Sequence, residues 1–232
     1  MIKFRDRMAR GRTETGWLDS RHTFSFGDYR EPSQMGFRTL RVINDDRVIP
    51  GGGFPTHGHR DMDILTYVLS GALEHKDSIG NGTVIRPGEL QRMSAGTGIT
   101  HSEFNHSRTL PVHFLQIWVI PAERGLQPGY EQKRFALADR LDEWTPLAAP
   151  GGEGDTIAIH QDARLFAARL RPDARIARDL AKGRGAWLQV ASGIVALNGT
   201  EMREGDGAAI ESEPAIAVTA DTDAEILLFD LA

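Results

Sequence analysis

VLSGALE (68–74) followed by NGTVIRPGE (81–89) reads like VASGIVA (190–196) followed by NGTEMREGD (198–206). Each half of the chain carries Ser-Gly, then Asn-Gly-Thr, with the same spacing from the asparagine to a Gly-acidic pair. Asn-Gly between apolar runs favours a tight turn with positive φ. An offset that recurs once implies two copies of one β unit.

The rest of the chain agrees with that reading. Helical periodicity is scarce, and short apolar stretches alternate with Gly, Asn, Asp and Pro, the pattern of a sandwich or barrel. The clearest strands or hairpins are ILTYVL (64–69), VHFLQIWVI (112–120) and AWLQVASGIVAL (186–197). The nearly continuous apolar run at 64–69 predicts a strand covered on both faces. Gln132 to Trp144 reads as a helix or irregular connector, and the Pro/Gly-dense PLAAPGGEGD that follows reads as a linker. The expected architecture is all-β: two consecutive jelly-roll-like barrels at 1–132 and 151–232, joined by a linker at 133–150.

With 232 residues there is chain enough for two small cores. A net charge of −5 argues against a nucleic-acid surface. Cysteine is absent, so any metal must be held by nitrogen and oxygen. MIKFRDRMARGR has no apolar core of a signal peptide, and no stretch approaches a membrane span. A cytoplasmic protein without nucleic-acid or membrane partners is the expectation.

Two short motifs carry chemistry. In FPTHGHRDMD (54–63), His57 and His59 stand at i and i+2, so in a strand both rings point to one face. In SAGTGITHSEFN (94–105), His101 and Glu103 repeat that spacing after a glycine-rich turn. Two strands offering two ligands each could converge on one ion as a three-imidazole, one-carboxylate site with open positions.

These residues resemble the cupin superfamily, and within it the pirin family. GGGFPTHGH (51–59), with Gly71 closing the strand, looks like the first cupin motif, and GELQRMSAG (88–96) followed by His101 and Asn105 resembles the second. Asp63 stands where many cupins place a ligand glutamate, and the second motif has two extra residues before its histidine. Pirins share both features in general form and take their carboxylate ligand from His-x-Glu, here His101-Ser102-Glu103. LDSRHTFSFGDY (18–29), LRVINDD (40–46), HKDSIGNG (75–82) and LQIWVIP (115–121) are similar to pirins as well.

The resemblance implies a bicupin with one metal site, His57, His59, His101 and Glu103, in the N-terminal barrel. It implies one divalent transition metal, Fe(II) first, with Mn, Co, Ni, Cu or Zn as alternatives. The short bacterial pirins it resembles imply quercetin 2,3-dioxygenase activity: a flavonol binds through its deprotonated 3-hydroxyl, dioxygen adds, and the heterocycle opens with loss of carbon monoxide. Glu103 is then base as well as ligand. The other reading is a redox-sensitive regulator whose metal site switches a surface for a protein partner. Counting along the repeat places Asp179 and Ala181 opposite His57 and His59, and Val218 and Ala220 opposite His101 and Glu103, so the second barrel is expected to be metal-free.

The other histidines take simpler readings. His113 alternates with Leu115 and Ile117 and reads as a core imidazole, His106 as a solvated loop residue, and His22 and His75 as strand-end polar groups or partners of a ligand ring. His160 is distant in sequence. Asp63 reads as an exposed or structural acid. Phe54 and Trp118, and more weakly Arg60 and Gln116, are candidates to line a pocket.

Overall fold

The computed structural model describes all 232 residues. Strands account for the regular structure, and the only helical elements are three short 3₁₀ turns. The chain divides into two compact units, each a large sheet facing a four-stranded one. The sheets stay open, so each unit is a jelly roll of two packed sheets instead of a closed barrel.

The first unit comprises residues 11–135 with 157–161. Its large sheet runs, in spatial order, Gly129–Arg134, Glu89–Ser94, Asp63–Ser70, Val112–Val119, Leu40–Val48, Leu18–His22 and Gly11–Glu14. Its small sheet runs Gly53–His59, Ile99–Asn105, Leu73–Asp77 and Gly82–Ile85. All pairings are antiparallel. The central strand Asp63–Ser70 is buried along its first six residues, which accounts for the unbroken apolar run there.

The second unit comprises residues 1–10, 136–156 and 162–232. Its large sheet contains, in order, Ile2–Arg5, Gly207–Glu211, Gly185–Ser192, Ala224–Leu231, Ala163–Leu170 and Thr145–Pro150. Its small sheet, Arg175–Asp179, Ala215–Ala220, Ile194–Leu197 and Thr200–Arg203, repeats the topology of the first.

Two expectations need correction. The boundaries at 132 and 150 do not describe the units: residues 1–10 fold with the second unit and 157–161 with the first. Sequence proximity is a poor guide here, because a strand is placed by the edge that completes its hydrogen bonds, and Ile2–Arg5 pairs with Gly207–Ile210. The expected linker contains the strand Thr145–Pro150, whereas 132–144 takes the irregular-connector alternative, with a 3₁₀ turn at Leu137–Asp139.

The repeat is structural, with one exception. Gly71 and Gly193 both have positive φ, and a Cβ on either would strike backbone across the turn, Pro111 O at 2.6 Å and Asp223 O at 2.3 Å. Only glycine permits that approach. Asn198-Gly199 has both φ values positive, the expected tight turn, whereas Gly82 opens a strand and the preceding loop is organised by Asp77, which accepts from the N–H groups of Ile79 and Asn81.

Strand pairing corrects the equivalences drawn by counting. Leu73 and Val195, each two residues past the repeated glycine, pair with Asn105 and Ala220. Ile216 and Val218 therefore stand where the first unit has His101 and Glu103. Arg178 pairs with Ile216 as His57 pairs with His101, which puts Arg178 and Leu180 at the His57 and His59 positions. The counting failed because intervening loops differ by one and two residues. Ile176, Leu180, Leu197, Ile216 and Val218 belong to one continuous hydrocarbon core, and the Arg178 guanidinium lies 3.7 Å from the centroid of Phe166.

Candidate metal centre

Strand Ile99–Asn105 alternates strictly, with Ile99, His101, Glu103 and Asn105 buried between more exposed neighbours. His101 and Glu103 therefore share the inner face. The adjacent edge strand Gly53–His59 sets His57 directly opposite His101, and a bulge follows before Phe54 meets Glu103. The pleat and this register gather three rings.

His101 Nε2 lies 3.0 Å from His59 Nε2 and 3.1 Å from His57 Nε2. His57 Nδ1 is 2.8 Å from the carbonyl of Pro55 and must donate to it, so its Nε2 presents a lone pair to the cluster. Burial first, and repulsion from the neighbouring imidazoles second, push His59 down to about 4 and His101 down to about 3. Neutral imidazole is the ligand form.

Glu103, also buried, groups with His101 and His75 as a second set of donor atoms within 4.8 Å. Gln116 Nε2 donates to both of its oxygens, at 3.1 and 2.9 Å. The Thr66 hydroxyl donates to Gln116 Oε1 at 3.2 Å, which turns the amide nitrogen toward the carboxylate. Gln116 and Thr66 belong to a polar row that crosses five strands in register, Gln91, Thr66, Gln116, Asn44 and His22. The donors that meet Glu103 are neutral, and His101 belongs both to the cluster of three rings and to the set that holds Glu103, so it joins the two. A divalent cation is the partner that such a donor set fits.

All four residues line one cavity of about 450 Å³. Its apolar wall includes Leu18, Phe26, Phe54, Ile64 and Trp118, with Trp118 edge-on to His59 at 5.0 Å between centroids. Ser20, His22, Asn44, Asp46 and Gln116 add a polar side. Desolvation pushes the buried Asp46 carboxyl up to about 7.

The pocket candidates Phe54, Trp118 and Gln116 all reach this cavity, whereas Arg60 lines a separate depression with Arg41 and Arg124. His113 points away from the site and bonds Asp45 at 2.7 Å. His106 is exposed beside Glu74. Asn105 holds the carbonyls of Val48, Ile49 and Leu110 and is structural. Asp63 is buried, not exposed: it accepts from Ser94 and from the backbone N–H of His160, so distant His160 is folded into the first unit. His22 and His75 are fully enclosed, with His22 bonded to Asn44 and Thr13. Their signal in sequence is a polar residue at an inward position of an otherwise apolar strand, and which positions face inward depends on register.

Two family models match the chain, one described as Pirin over residues 3–119 and one as Quercetinase C-terminal cupin domain over residues 147–231. A protein of Escherichia coli strain K12 named quercetin 2,3-dioxygenase is 48% identical over 231 residues, covering 100% of this chain and 99% of that protein. A pirin-like protein of Caulobacter vibrioides is 40% identical, covering 96% of each. Among solved structures, YhhW from E. coli superposes with a TM-score of 0.96 at 47% identity, covering 100% of this chain and 98% of that one. A nickel(II) complex of the bacterial pirin YhhW superposes with a TM-score of 0.94 at 48% identity, covering 100% and 99%.

Proposed function

The chain belongs to the pirin family, with a cupin domain in each half, and from that premise we propose that it is a metal-dependent dioxygenase acting on a flavonol such as quercetin. The observation that supports this reading most is one largely apolar cavity with three imidazoles and a buried carboxylate on its wall. A cavity of about 450 Å³ falls in the range that accepts a small aromatic molecule.

In this reading His57, His59 and His101 would hold the metal through Nε2 and Glu103 through its carboxylate. A divalent transition ion bound there would supply Lewis acidity. Iron(II) is the metal we favour, and the nickel(II) complex of YhhW supports a divalent ion of this class.

Glu103 would accept the proton of the flavonol 3-hydroxyl and so act as the general base. Gln116 holds the carboxylate in place through both oxygens. Phe54, Ile64 and Trp118 offer faces to the planar rings and exclude water. Overall, both atoms of dioxygen enter the opened product and one ring carbon leaves as carbon monoxide.

The test is aerobic loss of quercetin with detection of carbon monoxide, before and after chelation. Chelator abolishes both and a restored divalent metal recovers them. Quercetin loss at an unchanged rate in metal-free protein is autoxidation and overturns the reading.

A further inference from the structure

The nitrogen of His101 that does not face His57 and His59 meets another histidine. His101 Nδ1 lies 3.4 Å from His75 Nδ1, and His75 Nε2 lies 3.1 Å from Asp77 Oδ2. Strand Leu73–Asp77 sets His75 opposite Glu103 and Asp77 opposite His101. His75 is completely buried, with Tyr130 against its ring at 5.1 Å between centroids.

We propose that His75 and Asp77 are positioning residues that select the tautomer of His101 and so aim its Nε2 lone pair at the metal position. The inference rests on the metal-centre reading above. It follows from counting protons. Asp77 accepts from the N–H groups of Ile79 and Asn81 and from the Asn81 side chain, so it acts as an acceptor throughout. His75 must therefore donate to it from Nε2. A neutral His75 then has a bare Nδ1, which can only accept. His101 must supply the proton from its own Nδ1, and its Nε2 is left bare. Ligand histidines commonly donate their other N–H to a carboxylate or carbonyl. Here an imidazole stands between the ligand ring and the carboxylate.

The second unit shows that the fold does not need this pair. Leu197 occupies the place of His75, fully buried, and Ile216 the place of His101. The same sheet packs hydrocarbon there, whereas a buried imidazole costs stability unless its partners are in place. The polar pair is kept beside the ligand ring and absent where the ring is absent.

The test compares wild type with His75→Leu, which copies the second unit, and His75→Gln, whose amide oxygen can still accept from His101. Long-range ¹H–¹⁵N spectra of the metal-free protein read the histidine tautomers, nickel(II) titration reads affinity and stoichiometry, and thermal unfolding checks the fold. Wild-type His101 is expected as the Nδ1–H tautomer. His75→Leu loses that uniformity and binds nickel about 10- to 100-fold more weakly, and His75→Gln recovers most of the loss. An Nε2–H tautomer in wild type overturns the inference, as do equal affinities in all three folded proteins. Two nickel equivalents, one of them lost in His75→Leu, also overturn it and place an ion at His75, His101 and Glu103. If wild type binds no nickel, the metal-centre reading fails, while the tautomer spectra still decide the role of His75.

Discussion

One amide nitrogen of Gln116 reaches both carboxylate oxygens of Glu103, at 3.1 and 2.9 Å. The carboxylate is buried and its donors are neutral, so its charge is left for a cation or a substrate proton to answer. That relationship sets the first expectation.

Glu103→Gln keeps the shape and removes the charge. Metal stays bound through the three histidines, and quercetin turnover falls about 100- to 10,000-fold, the usual contribution of a general base. Metal content and turnover are measured on the same sample. Near-normal turnover in fully metallated protein makes Glu103 a ligand only, and the proton must then leave by another group.

Metal analysis of the purified chain is expected to give one tightly held ion. The positions matching His57, His59, His101 and Glu103 in the second unit are Arg178, Leu180, Ile216 and Val218, and three of these are core hydrocarbon. Two tight equivalents that survive His101→Ala contradict this expectation.

Acid should weaken the metal-free fold through His59 and His101. In the unfolded chain an imidazole takes up its proton near 6.5. Burial and mutual repulsion hold His59 down to about 4 and His101 down to about 3 in the folded state. The unfolded state thus binds more protons between these limits, and stability that is complete above about pH 6.5 is lost as pH falls toward 4 and 3. Denaturant midpoints from pH 7 to 4 measure it. His59→Ala should flatten the slope, and an unchanged slope removes His59 from the account.

Gly53 is expected to tolerate no side chain. A Cβ there would lie 2.4 Å from the carbonyl oxygen of Glu103 and 2.6 Å from Cα of Phe104. Gly53→Ala must push apart the strands that carry His57, His59, His101 and Glu103, and it should cost about 1–3 kcal/mol and weaken metal uptake. Gly58→Ala is the control, since its nearest neighbours would be 3.7 Å away. Unfolding curves and nickel titration of both variants check the contrast.

Much of this protein was legible in the chain itself. Alternating strands and the repeated Ser-Gly and Asn-Gly-Thr announced two β units, because side-chain alternation and glycine-only turns are local properties. His-x-His and His-x-Glu announced donors on shared faces for the same reason. Tertiary structure alone decided what joins what. Strand Ile2–Arg5 crosses to the second unit and His160 to the first because unpaired edges and buried carboxylates take partners wherever the chain returns. The alignment of the two units escaped counting, since loops that differ by one and two residues slip the register without disturbing any local pattern. His75, Asp77 and Gln116 acquired their meaning in the same way. Each is an ordinary polar residue in its own strand, and only cross-strand register sets it against His101 or Glu103. A strand's sequence determines which face a side chain takes, but its partner is set by the hydrogen bonds of the neighbouring strand.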